Sequence, residues 1–405
     1  MSTNLVPACL FVAALILSIP AAAQDVAITN ARIIVGTGQV IDSGTIVVRG
    51  GKIVSVGAGT GATQGVKIID AKGMSAMAGF IDGHKHVNNY NADQMKSLIE
   101  AGYTTVLAGG GPAEQNIALR DRIEKGEVGP RVIASGQVNL RQTPAEARAA
   151  IQALAKQGIK HTGEIGLTPE PAPPQSEIEV LKAIVDEAKK VGIQVNVHAV
   201  SSPAMVAAVD AGVTRLVHLP NKDFTTYEQA ERVAQTGSVV AGLIAFGAPN
   251  IDTVSGPPAA VQWPKDNTPK FRDGKPWPEA IANRDPKGRA TGTEAGYTIV
   301  NARRIWDADP NHQTISYSTD QNGADVVVLE HELKSYSIVF SMADIYRIIG
   351  PNAARYVGMA DQIGTIEPGK LADIILIDGN PMQNIYEMLK TKVVLKEGKV
   401  VVDKR

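Results

Sequence analysis

Cysteine is all but missing from this sequence: Cys9 is the only one in 405 residues. It lies in an apolar run, Ala8 to Ile19, followed by Pro20 and the small residues Ala21, Ala22 and Ala23 ahead of Gln24. That order fits a secretory signal peptide over residues 1–23, although no Lys or Arg precedes Arg32 and the leading region carries only its terminal amine. A chain cut there has no cysteine, which excludes disulfides, a cysteine nucleophile and a thiolate metal site. The expected location is exported, periplasmic or secreted. Long hydrophobic runs are missing too. The first falls short of the roughly 20 apolar residues that span a bilayer, and no later stretch approaches them, so no membrane attachment is expected after cleavage. An excess of one charge is also missing: 40 Lys plus Arg against 41 Asp plus Glu leave a formal net charge of −1. There is no basic field to recruit nucleic acid or anionic lipid, and the expected partner is a small molecule. With 44% hydrophobic and 20% charged residues the chain can bury a large core and is not disordered.

What is present is punctuated apolar sequence. From Val26 to Ala71 short β-branched runs separated by glycine (VAITNARIIV, GTIVVRGGKIVSVGAG, VKIIDAKG) read as hairpin-type strands, and IGTIEPGKLADIILID and VVLKEGKVVVD repeat the style at the C-terminal end. The two ends are expected to form one small β domain together. Between them strands alternate with helical patterns, as in IEVLKAIVDEAKKVGIQVNVHA, where a helix ends near Gly192. Eight strands are expected: Gly79–His86, Tyr103–Ala108, Arg131–Ser135, Gly158–Gly166, Ile193–His198, Val213–Leu219, Ser238–Ile244 and Thr314–Asp320. Eight βα units predict an α/β fold with a (β/α)8 TIM-like barrel, whose sites lie at the C-terminal strand ends. The expected limits are 24–77 for the N-terminal part of the β domain, 78–348 for the barrel, and 349–405 for the segment completing a β-sandwich. Before the last strand, residues 248–293 are rich in Pro, Gly, Asp and Lys and hold Trp263 and Trp277. A stretch that long without periodicity reads as an active-site lid.

Chemistry collects at the strand ends. In GFIDGHKHVNN, His84 and His86 are two apart on a strand, so both imidazoles face the same way and can share a metal, with Asp82 on the same face one step deeper. Lys85 has the opposite parity and should point outward to pair among the helices. QVNVHA turns Gln194, Asn196 and His198 to one face, and VTRLVHLP ends in His218 one helix later. TISYSTD carries Thr314, Ser316, Ser318 and Asp320 on one face; Asp320 could instead cap the following helix. GIKHTGEIG turns Lys160, Thr162, Glu164 and Gly166 the same way. Glu164 at the rim can bridge two cations through its two oxygens, and Lys160, four residues deeper, is a rival bridge if carbamylated. Imidazole and carboxylate ligands suit two divalent ions, zinc first, with iron, manganese or nickel compatible. Such a centre lowers the pKa of a bridging water to near neutrality and polarises a carbonyl. Asp320 is then placed to orient the hydroxide, take its proton and pass it to a leaving nitrogen.

On these motifs the chain resembles the amidohydrolase superfamily of metal-dependent hydrolases. The resemblance runs from ARIIVGTG and VVRGGKIVSVG through FIDGHKH, the two single histidines and STDQ to NAARYVGMADQIGTIEPGKLADIILID. GEIGLTPEP followed by VNVHA looks most like enamidase, a cyclic-amide hydrolase in which a glutamate bridges. The resemblance implies that His84, His86 and Asp320 hold one metal, His198 and His218 the other, and Glu164 both. Two departures are Ala78, where the family usually has proline, and Lys85 between the paired histidines.

The leading expectation is hydrolysis of an amide C–N bond, a cyclic amide or lactam favoured. The alternatives are an exported prolidase-like dipeptidase with carbamylated Lys160, a mononuclear deaminase, and a binding module that has lost catalysis. Substrate contacts are expected from rim residues Asn88, Asn89 and Tyr90 after the first strand and Asn221 and Lys222 after the sixth. His161, His312, His331, Arg303 and Arg304 are expected to be structural. A homo-oligomer is compatible with all of this.

Overall fold

The computed structural model describes residues 25–59, 61, 63–87, 91–245, 292–320 and 325–405. The signal-peptide reading of 1–23, Asn88, Asn89 and Tyr90, and the lid reading of 248–293 up to residue 291 fall outside these residues. Residues 292 and 293 begin a helix, Gly292–Ala308.

The two chain ends meet in a single eight-stranded sheet. Its order is Lys399–Asp403, Thr391–Lys396, Ile374–Ile377, Ser75–Ala78, Val26–Ile34, Val40–Arg49 and Lys52–Ala58, with Lys67–Asp70 also paired to Val26–Ile34. The seam between the ends is the antiparallel pairing of Ile374–Ile377 with Ser75–Ala78. β-Branched and leucine side chains there, among them Val26, Ile28, Ile46, Ile374, Leu376 and Val393, form a core of their own.

All eight expected strand positions between the ends are occupied, Tyr103–Ala108 with the expected bounds and most of the others in shorter form. Phe80–Lys85, Tyr103–Ala108 and Arg131–Ile133 make one parallel sheet; Ser135–Gly136, His161–Gly166, Gln194–His198, Arg215–Val217, Val239–Ala241 and Ile315–Ser316 make another. Only Ala134 separates the third strand's two pieces. Backbone bonds from Gly83 N to Tyr317 O (3.2 Å) and from Asp320 N to His84 O (2.8 Å) tie the first strand to the last. The helix read as ending near Gly192 runs Gln175–Val191, and Gly192 caps it at φ 71, the left-handed conformation glycine adopts without steric cost. Apolar side chains of strands and helices merge into one large core.

Beyond residue 349 the chain first contacts the parallel sheets. Asn352 Nδ2 donates to His312 O (2.9 Å) and Ile315 O (2.8 Å), and Arg215 Nε donates to Tyr356 O (2.8 Å). A bridge between Leu371 and Lys52 brings the chain back to the end sheet, and full strand pairing follows at Ile374–Ile377. His161 Nε2 meets Val357 O at 3.2 Å, while its buried Nδ1 has no partner. Burial, reinforced by the Arg215 guanidinium, holds this imidazole down at about 4. The unfolded chain keeps a histidine near its ordinary value, so between about pH 6.5 and 4 it binds a proton that the folded protein excludes, and stability falls as pH drops through that window. Between pH 7 and pH 5, metal-free wild type is expected to lose about 2 kcal/mol more unfolding free energy than His161→Gln. Parallel urea-derived pH profiles for the two proteins would remove His161 from this account.

Candidate metal centre

Phe80–Lys85 is buried along its whole length and delivers His84 and His86 at its C-terminal end. Two glycines make room for this. A Cβ on Gly83 would stand 2.9 Å from Tyr356 Cδ1 and 3.2 Å from Tyr317 O, and one on Gly109 would stand 2.6 Å from His84 Cε1. Asp82 is fully buried and is no ligand. Its Oδ1 accepts the backbone N–H of His84 and of Thr319 (3.1 Å each), and its Oδ2 accepts the Thr319 hydroxyl at 2.5 Å. The carboxylate thus fastens the strand of His84 to the segment of Asp320. Burial pushes its carboxyl up, against the opposing charge of Lys85. Lys85 itself is buried, at 1% exposure.

Glu164 stands half-buried two residues before the end of His161–Gly166, and His198 ends Gln194–His198. His218 and Asp320 both take left-handed backbone conformations, φ 71 and φ 52. For non-glycine residues this costs on the order of 1–3 kcal/mol each and collects at functional sites. The turn aims both side chains back over the strand ends.

The six side chains converge. Asp320 Oδ1 lies 2.8 Å from His86 Nε2 and 3.2 Å from His84 Nε2. Glu164 Oε2 lies 2.9 Å from His198 Nδ1, 3.7 Å from His84 Nε2 and 3.9 Å from His218 Nε2; its Oε1 lies 3.7 Å from His86 Nε2. Two clusters have all donor atoms within 4.8 Å of one another: His84, His86, Glu164 and Asp320, and Glu164, His198 and His218. Glu164 belongs to both, the same division that the family resemblance implied. Burial raises the Asp320 carboxyl, but the His84 and His86 imidazoles close beside it outweigh burial and hold the group well below the usual carboxylate range. Glu164 is lowered in the same way, burial being overcome chiefly by His198. His218 is depressed to about 3 by burial and by neighbouring His198, so it offers a neutral ring. The buried His84 Nε2 and Asp320 Oδ1 face each other without a hydrogen bond of acceptable angle. Ionised carboxylates, a neutral imidazole and lone pairs pointed into one space are the donor set a divalent cation takes.

The carbamylated-lysine alternative is corrected here. Lys160 is exposed and precedes the strand's first residue, His161. At about 3.3 Å per residue it starts roughly 13 Å from Glu164, at the opposite end of the strand. Its parity is right and its height is wrong. Asn221 is buried; its N–H donates to Val200 O at 2.9 Å and its Oδ1 makes no hydrogen bond. Lys222 N approaches the same carbonyl at 3.3 Å. Arg303 pairs with Asp307 at 2.6 Å, Arg304 donates to Thr225 O and lies over Tyr227, and His312 stacks on Trp306.

Sequence reading passed over the run Gly109–Gly111 directly after Tyr103–Ala108, and Gln137 after Ser135–Gly136. The glycine run was the available signal, since only a missing Cβ admits a ring so close. Gly109→Ala is therefore expected to displace His84 and weaken zinc binding about 10- to 100-fold in a chelator competition. Unchanged affinity would mean that His84 is not a ligand.

With the site in view, the sequence pattern of the amidohydrolase family matches residues 75–228 and 295–401, more than half of the chain. The chain belongs to the amidohydrolase family. This is a family of hydrolases acting on carbon–nitrogen bonds, the activity class predicted from the ligand motifs. The amidohydrolase is 24% identical to the imidazolonepropionase of Geobacillus sp. (strain WCH70) over 410 aligned residues, 90% of this chain and 91% of that protein. It is 40% identical to the N-acyl-D-aspartate deacylase of Alcaligenes xylosoxydans xylosoxydans over 90 residues, 22% of this chain; the match spans only 18% of the deacylase. A solved Xaa-Pro dipeptidase with bound methionine in its active site superposes with a TM-score of 0.74 at 21% identity, covering 93% of this chain and 100% of that one. At that identity the likeness concerns the fold.

Proposed function

We propose that this amidohydrolase opens a cyclic amide or lactam at a centre of two divalent ions, zinc first, with iron, manganese or nickel compatible. The observation that carries the reading is the sharing of Glu164 between the two donor clusters. His84, His86 and Asp320 would hold one ion, His198 and His218 the other, and Glu164 both. Bound there, the ions supply a water of near-neutral pKa and polarisation of the carbonyl under attack.

The chain's own residues do the rest. Asp320, kept ionised by His84 and His86, accepts the proton of the attacking water on a carboxylate oxygen and returns it to the leaving nitrogen. Asp82 keeps that carboxylate against the first strand by holding Thr319. Asn221, three residues past His218, offers its unpartnered Oδ1 to a donor on the substrate; Asn88 and Tyr90 join it on sequence position alone.

For the frame, we propose that the two parallel sheets close into a (β/α)8 barrel through the Gly83–Tyr317 and Asp320–His84 bonds, and that the end sheet folds over its own core as a sandwich. Cleavage before Gln24 and export complete the reading, and are tested by N-terminal sequencing of the processed protein.

The ring-amide preference is supported by the full-length alignment to an imidazolonepropionase, a protein named for a cyclic substrate. The test is a panel of lactams, N-acetyl-D-aspartate and Xaa-Pro dipeptides with zinc-loaded protein. Ring opening of a lactam as the fastest reaction is expected. Cleavage confined to dipeptides, or no hydrolysis at all, would contradict it.

A further inference from the structure

We propose that Gln137 is a specificity-determining residue that selects amides whose scissile nitrogen carries a hydrogen. The inference rests on the amidohydrolysis reading above and narrows its substrate class.

Gln137 stands just beyond Ser135–Gly136, at the same strand-end level as the donor clusters, and is exposed. Its Nε2 donates to Glu164 O at 3.0 Å and more weakly to Val138 O at 3.4 Å. With the amide fixed from its nitrogen side, Oε1 is left as an acceptor with no hydrogen bond among the described residues. Its neighbours are two glycines. A Cβ on Gly163 would lie 2.8 Å from Oε1 and one on Gly110 would lie 3.8 Å from it, while that same Gly110 position is 3.4 Å from His86 Cε1. Side chains at 110 and 163 would fill the space between Gln137 and His86; glycine leaves it open. His86 meets Asp320 at 2.8 Å through Nε2, the ring atom next to that Cε1. A neutral acceptor therefore faces a gap that reaches to His86, a proposed ligand in contact with Asp320.

An amide placed with its carbonyl toward the donor clusters has one remaining polar atom near its scissile bond, the nitrogen. A neutral carbonyl oxygen recognises N–H and gains nothing from a carboxylate or from a fully substituted nitrogen. An N–H held by Gln137 Oε1 also fixes the rotation of the nitrogen, so that its lone pair can be turned to Asp320. A tertiary amide, whether an N-methyl lactam or a bond to proline, loses that hydrogen bond and pushes carbon against an acceptor that stays unpaired.

The test compares kcat/KM of the zinc-loaded full chain and its Gln137→Met variant on two matched pairs: 2-piperidone with 1-methyl-2-piperidone, and glycylglycine with glycylsarcosine. Wild type is expected to favour the N–H member of the pair it hydrolyses by about tenfold, one hydrogen bond's worth. Gln137→Met should bring that ratio near one, with zinc content unchanged and turnover of the N-methyl member within about threefold of wild type. Equal turnover of both members by wild type, or a uniform loss on both in the variant, overturns the proposal. Hydrolysis of the dipeptide pair alone defeats the lactam reading and leaves Gln137 to be judged by the glycylglycine ratio. Failure to hydrolyse any of the four compounds overturns both.

Discussion

Asp320→Asn is expected to lower kcat by about 10²- to 10⁴-fold on any amide the enzyme hydrolyses, the range assigned to a positioned general acid–base group. The amide keeps the side chain's shape and one oxygen, so its contacts with His84 and His86 remain sterically possible. It cannot hold a proton between attack and nitrogen departure. The strained φ of 52 makes the expectation sharper. A residue in that conformation solely to cap a helix could be replaced by Asn without harm, because Asn tolerates both caps and the left-handed region. Steady-state kinetics with parallel metal analysis separates the two roles. A fall of less than tenfold with metal content unchanged would assign Asp320 to structure and move the proton transfer elsewhere.

Glu164→Ala is expected to cost both ions together. Its carboxylate lies within 4 Å of an imidazole nitrogen on all four ligand histidines. Removing it takes a shared anionic ligand from two cationic sites at once and leaves the two cations to repel each other with no carboxylate between them. We expect zinc affinity to fall at least about 100-fold, beyond the loss usual for supporting residues around a metal, and kcat to fall with it. Lys160→Met is the matched control. The lysine stands exposed at the far end of the same strand, so metal content and activity should stay at wild-type values. The reverse pattern, metal lost with Lys160 and kept without Glu164, would overturn the glutamate bridge.

Much of this centre was legible because a strand has a period of two. Parity alone turned His84 and His86 to one side, put His198 on the polar face of QVNVHA, and made the last strand's inward face end in a carboxylate. The alternation of β-branched runs with glycine likewise announced that the chain ends pair in one sheet. Period two reports the face and is silent on height, which is how Lys160 came to compete with Glu164: both face the same way, and only the observed start at His161 shows that one of them stands below the strand. Contacts made across long stretches of chain were also out of reach. Asp82 read as a polar residue deep on an inward face, but its work depends on Thr319, 237 residues away. Gly109 was passed over, because its necessity comes from the His84 ring. The left-handed turns at His218 and Asp320 could not be read from residue type, because histidine and aspartate are enriched at positive φ yet adopt it in only a small minority of positions. The expected last strand, Thr314–Asp320, shortened to Ile315–Ser316 because Tyr317 N turns to bond Ile348 O and Asp320 N to bond His84 O.

The central claim is that six side chains from five strand ends form one centre for two ions. Elemental analysis of the purified full chain, loaded with zinc and freed of excess by gel filtration, tests it directly. Two zinc ions per chain are predicted, both released together by Glu164→Ala. One ion per chain, unaffected by that substitution, would contradict the shared glutamate and return the chain to a mononuclear mechanism.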